Sequence, residues 1–139
     1  MGLYNFQKRF APFVLDGSKT HTIRAKRKHA DKPGNPFHGY TGLRTKNAEL
    51  LIRSTVVKVE DILIRKTASL FQEAVELFEI AIDGVGLEPD EKNALAWSDG
   101  FRSSGKSGAF AEMMEFWDGQ LPFRGDLIHW TPINLGKTI

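Results

Sequence analysis

The sequence contains no cysteine, and this absence excludes several kinds of site at once. Disulfide bonds, zinc sites with thiolate ligands and cysteine nucleophiles all require a thiol. A chain without cysteine suits the reducing cytosol, so we expect a cytoplasmic protein. Long hydrophobic runs are also lacking: no stretch approaches the ~20 apolar residues of a membrane span, and residues 1–6 do not resemble a secretory signal. We therefore expect no membrane partner.

What is present indicates an ordinary globular protein. The 139 residues are 41% hydrophobic and 26% charged, which are typical values for a folded domain. A chain of this length buries roughly two-thirds of its surface on folding, so a hydrophobic core is available. We expect one domain over residues 1–139. The sequence does not indicate an oligomeric state.

The net charge of +2 hides a strong asymmetry along the chain. Residues 1–66 hold 14 Lys and Arg against 5 Asp and Glu, a balance of +9, whereas residues 67–139 hold 5 against 12, a balance of −7. The densest basic stretch is residues 19–32. Such a stretch attracts phosphate groups. Alternatively, the two halves pair with each other in the fold, and the charges alone do not decide between these readings.

The pattern of short apolar segments favours an α+β fold that is mostly a closed antiparallel β-barrel with peripheral helices. Closure is expected because it removes exposed strand edges. Helices are predicted from Phe6 to Gly17, over residues 69–76, over 89–97, and over 107–117 with Ser107 as its cap. Strands are predicted over residues 3–6, 20–24, 37–43, 49–59, 62–64, 78–82 and 127–131.

One motif resembles a known family. The segment Gly17-Ser18-Lys19-Thr20-His21-Thr22-Ile23-Arg24 is similar to the G-x-K-x-x-T-I-R signature of the ASCH family. Softer likenesses to that family are found at residues 8–10, 40–42, 44–45, 96–101, 112–117 and 125–130. The chain thus resembles a bacterial or phage-type ASCH domain over most of its length. The resemblance implies a PUA-like barrel whose cleft suits an RNA base or a nucleoside.

The resemblance also implies roles for particular residues. One branch of the family hydrolyses acetylcytidine, and its lysine proton acceptor, threonine nucleophile and acidic proton donor would match Lys19, Thr22 and Asp99. The chain differs from that branch in being longer and in having Asp where the branch has Glu. Other ASCH proteins bind or cleave RNA, so a non-catalytic RNA-binding module and an RNA-cleaving protein stay open beside the hydrolase.

The residues themselves fit this chemistry. Amide hydrolysis needs a nucleophile, a base and a proton donor, and Thr22 offers a hydroxyl. Lys19 can act as the base only if burial lowers its pKa, because a solvated lysine is protonated at pH 7. Arg24 shares a strand face with Thr22 and could hold an oxyanion or a phosphate. The structural alternative is a solvated barrel face, with Asp99-Gly100 as a turn that ends a helix.

RNA or a modified nucleoside is therefore the expected partner, and five residues outside the catalytic set are its expected ligands: Arg24, Lys26, Arg27, Tyr40 and Arg44. An aromatic ring, from Tyr40 or Trp97, could stack on a base. A non-catalytic module with these residues would bind RNA with an affinity that falls steeply with salt.

A remote alternative comes from residues 100–107, which match the G-x-x-x-x-G-K-S pattern of a P-loop. The segment precedes a predicted helix, as a P-loop does. It follows another predicted helix, however, whereas a P-loop follows a strand. No cofactor is expected, and no metal, because His21, His29, His38 and His129 lack the spacing of a helical metal site.

Overall fold

The computed structural model describes residues 2–68 and 76–131. Seven strands and three helices follow one another along these residues in the order β1 (Leu3–Phe6), α1 (Ala11–Leu15), β2 (His21–Arg24), β3 (Pro36–Thr41), β4 (Glu49–Ala68), β5 (Glu76–Ile82), β6 (Val85–Gly86), α2 (Pro89–Asp99), α3 (Gly105–Trp117) and β7 (Phe123–Trp130). The chain is thus a mixed α and β structure built on a sheet, as the sequence predicted in outline. None of the helices in these residues is long and apolar enough to cross a membrane.

The 20-residue strand β4 organises the sheet. Its first part pairs with β3, its middle with β7 and its last part with β5, all antiparallel. The short strand β6 extends the sheet beyond β5, and β2 extends it beyond β7. The single parallel pair of these strands is β1 with β3. The sheet is therefore mostly antiparallel, as expected.

The sheet is open, and this corrects the expectation of a closed barrel. It ends at β1, β2 and β6, and within the described residues no backbone pairing joins β1 to β2. Arginine side chains span the gap instead: Arg24 donates to the carbonyl of Asn5 at 2.7 Å, and Arg27 donates to the carbonyl of Leu3 at 2.8 Å. A gap held by side chains leaves room for a cleft that continuous strand pairing would fill.

The core is rich in stacked aromatic rings. Phe37 lies between Tyr4 and Trp130, with ring centroids 4.1 and 4.3 Å away, and Phe6 meets Trp130 edge to face at 5.8 Å. All four side chains are almost completely buried. Because these rings come from β1, β3 and β7, they pack the β1 end of the sheet against the strands on both sides of β4.

The helices lie against this core. Pro89 occupies the first turn of α2, as predicted. At the start of this helix a capping box joins Glu88 and Glu91, in which the side chain of each accepts from the backbone N–H of the other. α3 packs on α2 and buries Met113, Met114 and Trp117, so its apolar face is turned to the core.

Several predicted boundaries were wrong. The first helix is only Ala11–Leu15, because the chain up to Phe6 is a strand and Pro12 allows a helix only in its first turn. The α3 helix begins at Gly105 with Ser104 at its N-cap, so Ser107 is inside it. Two predicted strands, over 49–59 and 62–64, are one continuous β4. The helix predicted over 69–76 falls on residues 69–75, which lie outside the described residues, and on Glu76, which begins β5.

Candidate functional site

A cleft of about 220 Å³ opens beside the gap between β1 and β2. The end of α2 and the last turn of α3 form its other walls. Four residues that the sequence singled out, Lys19, Thr22, Arg24 and Asp99, all line it. The structure thus brings together an ammonium, a hydroxyl, a guanidinium and a carboxylate from distant parts of the chain.

Lys19 is the most deeply placed of these groups, with 2% of its surface exposed. Gly17 turns the chain after α1 through a left-handed backbone (φ 83°), and the Lys19 amide then donates to the Phe13 carbonyl at 2.9 Å. The side chain runs inward, and its Nζ donates to Asp99 Oδ1 and to the Asp99 carbonyl, both at 2.6 Å. A cation this buried is stable only with such partners.

Asp99 is the last residue of α2, and the glycine after it explains its position. Gly100 has a left-handed backbone (φ 114°) that turns the chain out of the helix. A Cβ at this position would come within 2.6 Å of Cδ1 of Phe10, so only glycine fits the site. The Asp99-Gly100 pair is therefore a helix-ending turn, as the structural alternative proposed, and it also points a carboxylate into the cleft.

Burial and charge act on this ion pair in opposite directions. Burial lowers the pKa of Lys19, and the attraction of Asp99 offsets only part of that effect. Burial raises the pKa of Asp99, but Lys19 and His21 outweigh it and hold that pKa below its usual range. Asp99 is thus a carboxylate at neutral pH, and Lys19 loses its proton more readily than a solvated lysine does.

Thr22 and Arg24 lie on the same face of β2, as the sequence predicted. The Nε of Arg24 donates to Thr22 Oγ1 at 3.0 Å, so the guanidinium fixes the position of the hydroxyl oxygen. Thr22 is buried, and burial lowers the pKa of Arg24 without preventing its protonation at neutral pH. A hydroxyl that accepts a charged hydrogen bond is a weaker base but a more acidic alcohol.

Aromatic rings line the rest of the cleft. They come from both ends of the chain: Phe6, Phe10, Phe101, Phe116 and Trp117. The Lys19 Nζ lies 5.2 Å from the centroid of the Phe10 ring and 5.8 Å from that of Phe6, so the ammonium faces two rings as well as a carboxylate. The cleft is therefore apolar with a few converging polar groups, as small-molecule sites generally are.

His21 is a residue of this site that sequence reasoning missed. Its Nε2 lies 3.3 Å from Asp99 Oδ1, without the alignment of a hydrogen bond, and its side chain is buried. The ring of His129 packs 5.7 Å from it across the β2 and β7 pair, and His129 in turn contacts Glu60 at 2.7 Å. The sequence does place His21 between Lys19 and Thr22. However, side chains alternate between the two faces of a strand, and this alternation assigned His21 to the face opposite Thr22.

Two of the predicted RNA ligands face away from the cleft. Lys26 is held by Asp126 at 2.7 Å and by Asp61 at 3.3 Å, so its charge is already compensated. Arg27 lies over the Tyr4 ring at 4.1 Å and lines a separate groove. Of the basic residues predicted as RNA ligands, Arg24 alone lines the cleft itself.

The remaining predicted contacts are also outside the cleft. Tyr40 is a half-buried residue of β3 paired with Asn5, and Arg44 is exposed in the turn after β3 with a positive φ of 71°. Trp97 packs under the cations of Arg102 and Lys106, at 5.1 and 5.7 Å. The aromatic groups available to a ligand in the cleft are therefore the phenylalanines and Trp117.

The segment that resembles a P-loop joins two helices. Gly100 ends α2 and Gly105 begins α3, so a helix stands where a P-loop has a strand. Lys106 lies against Trp97. This context does not provide the strand-to-helix turn that cradles phosphate.

The charge asymmetry of the sequence is partly used in pairing. Among the described residues, several ion pairs join the basic first half to the acidic second half: Arg9 with Glu112, Lys19 with Asp99, Lys26 with Asp126, Arg65 with Glu79, and Lys66 with Asp118. The reading in which the halves compensate each other therefore holds for these residues. It does not hold for Lys28, which is exposed on a groove surface.

In residues 2–68 and 76–131, no group of three or more His, Asp or Glu side chains is arranged to hold a metal ion. Comparisons with models of protein families, with curated proteins and with solved structures found no match. The likeness of residues 17–24 to the ASCH motif therefore rests on the sequence alone.

Proposed function

We propose that this chain is an ASCH-type domain of PUA-like fold that binds a nucleobase or nucleoside in the cleft and hydrolyses the amide of acetylcytidine there. In this proposal the gap between β1 and β2 is the mouth of a barrel-like sheet. The single observation that carries the proposal is the buried 2.6 Å contact between Lys19 and Asp99, in the same cleft as the Thr22 hydroxyl and the Arg24 guanidinium.

The size and lining of the cleft support a ligand of this class. About 220 Å³ is less than the roughly 300–1,000 Å³ of sites for drug-sized ligands, so the occupant is small. Flat rings on Phe6, Phe10 and Phe116 suit a flat base, which stacks on aromatic side chains. The polar edge of the base would meet the hydroxyl, guanidinium and ammonium.

The Lys19 and Asp99 pair can supply both a base and an acid. If the shared proton moves from Nζ to the carboxylate across their contact, Lys19 becomes an amine and Asp99 a carboxylic acid. Burial favours this neutral form of the pair, and the charges favour the ionic form. A ligand that displaces water from the cleft shifts the balance toward the neutral form, because it raises the penalty on buried charges.

From the neutral pair the reaction balances without any other group. Thr22 Oγ1 attacks the acetyl carbonyl carbon while its proton passes to the Lys19 amine, and Arg24 holds the oxygen in place. The amide C–N bond breaks as Asp99 gives its proton to the departing exocyclic nitrogen, which leaves the ionic pair. Water then attacks the acetyl carbon of the Thr22 ester: one of its protons restores the Thr22 hydroxyl, and acetate and the other proton leave to the solvent.

Purified protein incubated with acetylcytidine tests this proposal, with cytidine and acetate as the measured products. We expect turnover, and a loss of at least ~100-fold in Lys19→Ala and in Thr22→Val, which is the usual contribution of a positioned proton-transfer group. Thr22→Ser keeps the hydroxyl and should retain more activity than Thr22→Val. The exposed Lys46 serves as the control, because Lys46→Ala removes a lysine that does not line the cleft. No turnover, or equal turnover in Lys19→Ala, would refute the hydrolase.

A second function is a non-catalytic base-binding module, and one observation favours it. In the structure Asp99 is held as a carboxylate, and the Thr22 hydroxyl is engaged by Arg24 rather than by Lys19. A module of this kind would bind cytidine and acetylcytidine with similar affinity and leave the amide intact. Binding of both ligands measured by calorimetry, together with an absence of product, would assign this function.

A further inference from the structure

The His21 imidazole carries a buried nitrogen without a hydrogen bond. Only 7% of the His21 side chain is exposed, and its Nε2 has no hydrogen-bond partner among the residues that the structure describes. A buried polar atom without a partner costs free energy, so proteins seldom keep one. The His129 ring is its neighbour across the β2 and β7 pair, but His129 contacts Glu60 at 2.7 Å. Packing within the sheet therefore does not explain a histidine at position 21.

One acceptor lies just beyond hydrogen-bonding alignment with this nitrogen. His21 Nε2 is 3.3 Å from Asp99 Oδ1, the same oxygen that Lys19 Nζ approaches to 2.6 Å. In the part of the chain that the structure describes, no other Lys, Arg or His forms an ion pair with Asp99. The carboxylate thus has two candidate donors, and in this state it is bound to Lys19 alone.

The proposed site requires Lys19 to leave part of this contact. An ammonium has three N–H donors, and Lys19 gives one to Asp99 Oδ1 and one to the Asp99 carbonyl. The Thr22 hydroxyl is engaged by Arg24 instead. When Lys19 turns from Oδ1 toward a ligand or toward Thr22, a carboxylate whose side chain is 9% exposed loses its ionic partner. A buried charge in that situation needs another donor.

We propose that His21 is a positioning residue, which donates its Nε2–H to the Asp99 carboxyl group when Lys19 turns to the ligand. This inference rests on the proposed base site. The nitrogen has to move only a few tenths of an ångström to reach the ~2.7–2.9 Å of a charge-assisted hydrogen bond. His21 does not line the cleft, so it acts on the ligand only through Asp99. Because the exchange gives an unpaired imidazole its partner, it offsets the contact that Lys19 gives up.

A cycle of variants tests this exchange without any ligand. Lys19→Met represents the state in which Lys19 has left Asp99, and thermal denaturation compares it with the wild type, His21→Leu and the double variant. In the wild type, His21→Leu removes an unpaired buried group, so we expect an unchanged or higher melting temperature. In Lys19→Met, the same change takes away the remaining donor to Asp99, so we expect the melting temperature to fall by at least ~3 °C.

Calorimetric titration with cytidine tests the exchange in the intact site. We expect His21→Leu to bind cytidine at least ~10-fold more weakly than the wild type, because a hydrogen bond to a charged group is lost from the bound state alone. His21→Gln keeps an N–H at a similar reach and should recover most of this affinity. His38→Leu serves as the control: it removes a half-buried imidazole of β3 that does not line the cleft, and should bind cytidine as the wild type does.

The two measurements separate this role from a structural one and from the base site itself. A histidine that merely supports the fold would lower the melting temperature equally with and without Lys19 and would leave the affinity for cytidine unchanged. Either result would overturn the role of His21. If Lys19→Met does not fold, the titration decides. A wild-type protein that does not bind cytidine would refute the base cleft, and the cycle would still decide whether His21 holds Asp99 once Lys19 is gone.

Discussion

Breaking the Lys19 and Asp99 pair should destabilise the fold far more than removing both of its charges. Only 3% of the Lys19 side chain and 9% of the Asp99 side chain are exposed, so the pair belongs to the buried class. Removing one partner of a buried pair leaves an uncompensated charge and costs about 3–5 kcal/mol. We therefore expect Asp99→Asn, which leaves the ammonium among aromatic rings, to lower the free energy of unfolding by about that amount.

The companion variants separate the charge from the packing. Lys19→Met leaves the Asp99 carboxylate with the His21 ring as a remaining polar neighbour 3.3 Å away, so we expect a smaller loss than in Asp99→Asn. The double variant with Lys19→Met and Asp99→Asn buries neither charge of the pair. It should be more stable than Asp99→Asn alone, because replacing both members of a buried ion pair with neutral groups often leaves the free energy of unfolding almost unchanged. For a chain of this size about 1 kcal/mol corresponds to roughly 4 °C in melting temperature, so the differences are large enough to measure.

A surface pair provides the matched control. Arg65 and Glu79 are 2.8 Å apart, but their side chains are 53% and 47% exposed. Exposed pairs contribute about 0–1 kcal/mol, so the cycle of Arg65→Met and Glu79→Gln should give a coupling below ~1 kcal/mol. Chemical denaturation of all six variants gives both couplings. A loss below ~1 kcal/mol in Asp99→Asn, or a double variant as unstable as the sum of the singles, would refute the buried pair.

The same pair predicts a dependence on pH. The pKa of Asp99 is lower in the folded protein than in the unfolded chain, where it is about 3.9. The unfolded chain then binds more protons between these two pKa values, so stability is fully present above ~4 and is lost as the pH falls through that window. Asp99→Asn should flatten this part of the acid stability curve, and an unchanged curve would contradict the shift.

Two further predictions concern the surroundings of the cleft. Gly100→Ala should lower the free energy of unfolding by more than Gly84→Ala. Both positions have a positive φ, but a Cβ at Gly100 would clash with Phe10, whereas a Cβ at Gly84 would meet open space. Equal losses in chemical denaturation would contradict the close approach of Gly100 to Phe10. Burial and the contact with Asp31 raise the pKa of Tyr4. In the variant Tyr40→Phe, Tyr4 is the single tyrosine, and its phenolate absorbance should appear only above pH ~10. Ionisation at or below that pH would contradict the buried contact with Asp31.

The sequence predicted much of the local structure because its signals are local. β2 is short and follows a glycine turn, and the Pro89 and Gly100 positions bracket α2, so these elements were within one or two residues of their observed bounds. The gathering of Lys19, Thr22, Arg24 and Asp99 was predicted only through the family resemblance, because no local pattern shows that residue 99 lies beside residue 19.

The rest could not be predicted for physical reasons. Long-range pairing makes β4 one 20-residue strand, whereas the charged Glu60 and Asp61 in its middle suggested a break. The sheet would close only if β1 paired with β2. Arginine side chains occupy the gap between these strands, and the alternation of apolar and polar residues along a strand does not reveal such contacts. The role of His21 was missed because period-two alternation placed it away from Thr22, while the Asp99 carboxylate approaches from α2 to meet it.

The central claim is that the Lys19 cleft receives a base, and a crystal structure of the protein with acetylcytidine tests it most directly. The claim predicts a pyrimidine ring among Phe6, Phe10 and Phe116, with its acetyl group next to the Thr22 hydroxyl and the Lys19 ammonium. A ring bound at another surface, with Lys19 still closed against Asp99 and the cleft empty, would contradict it.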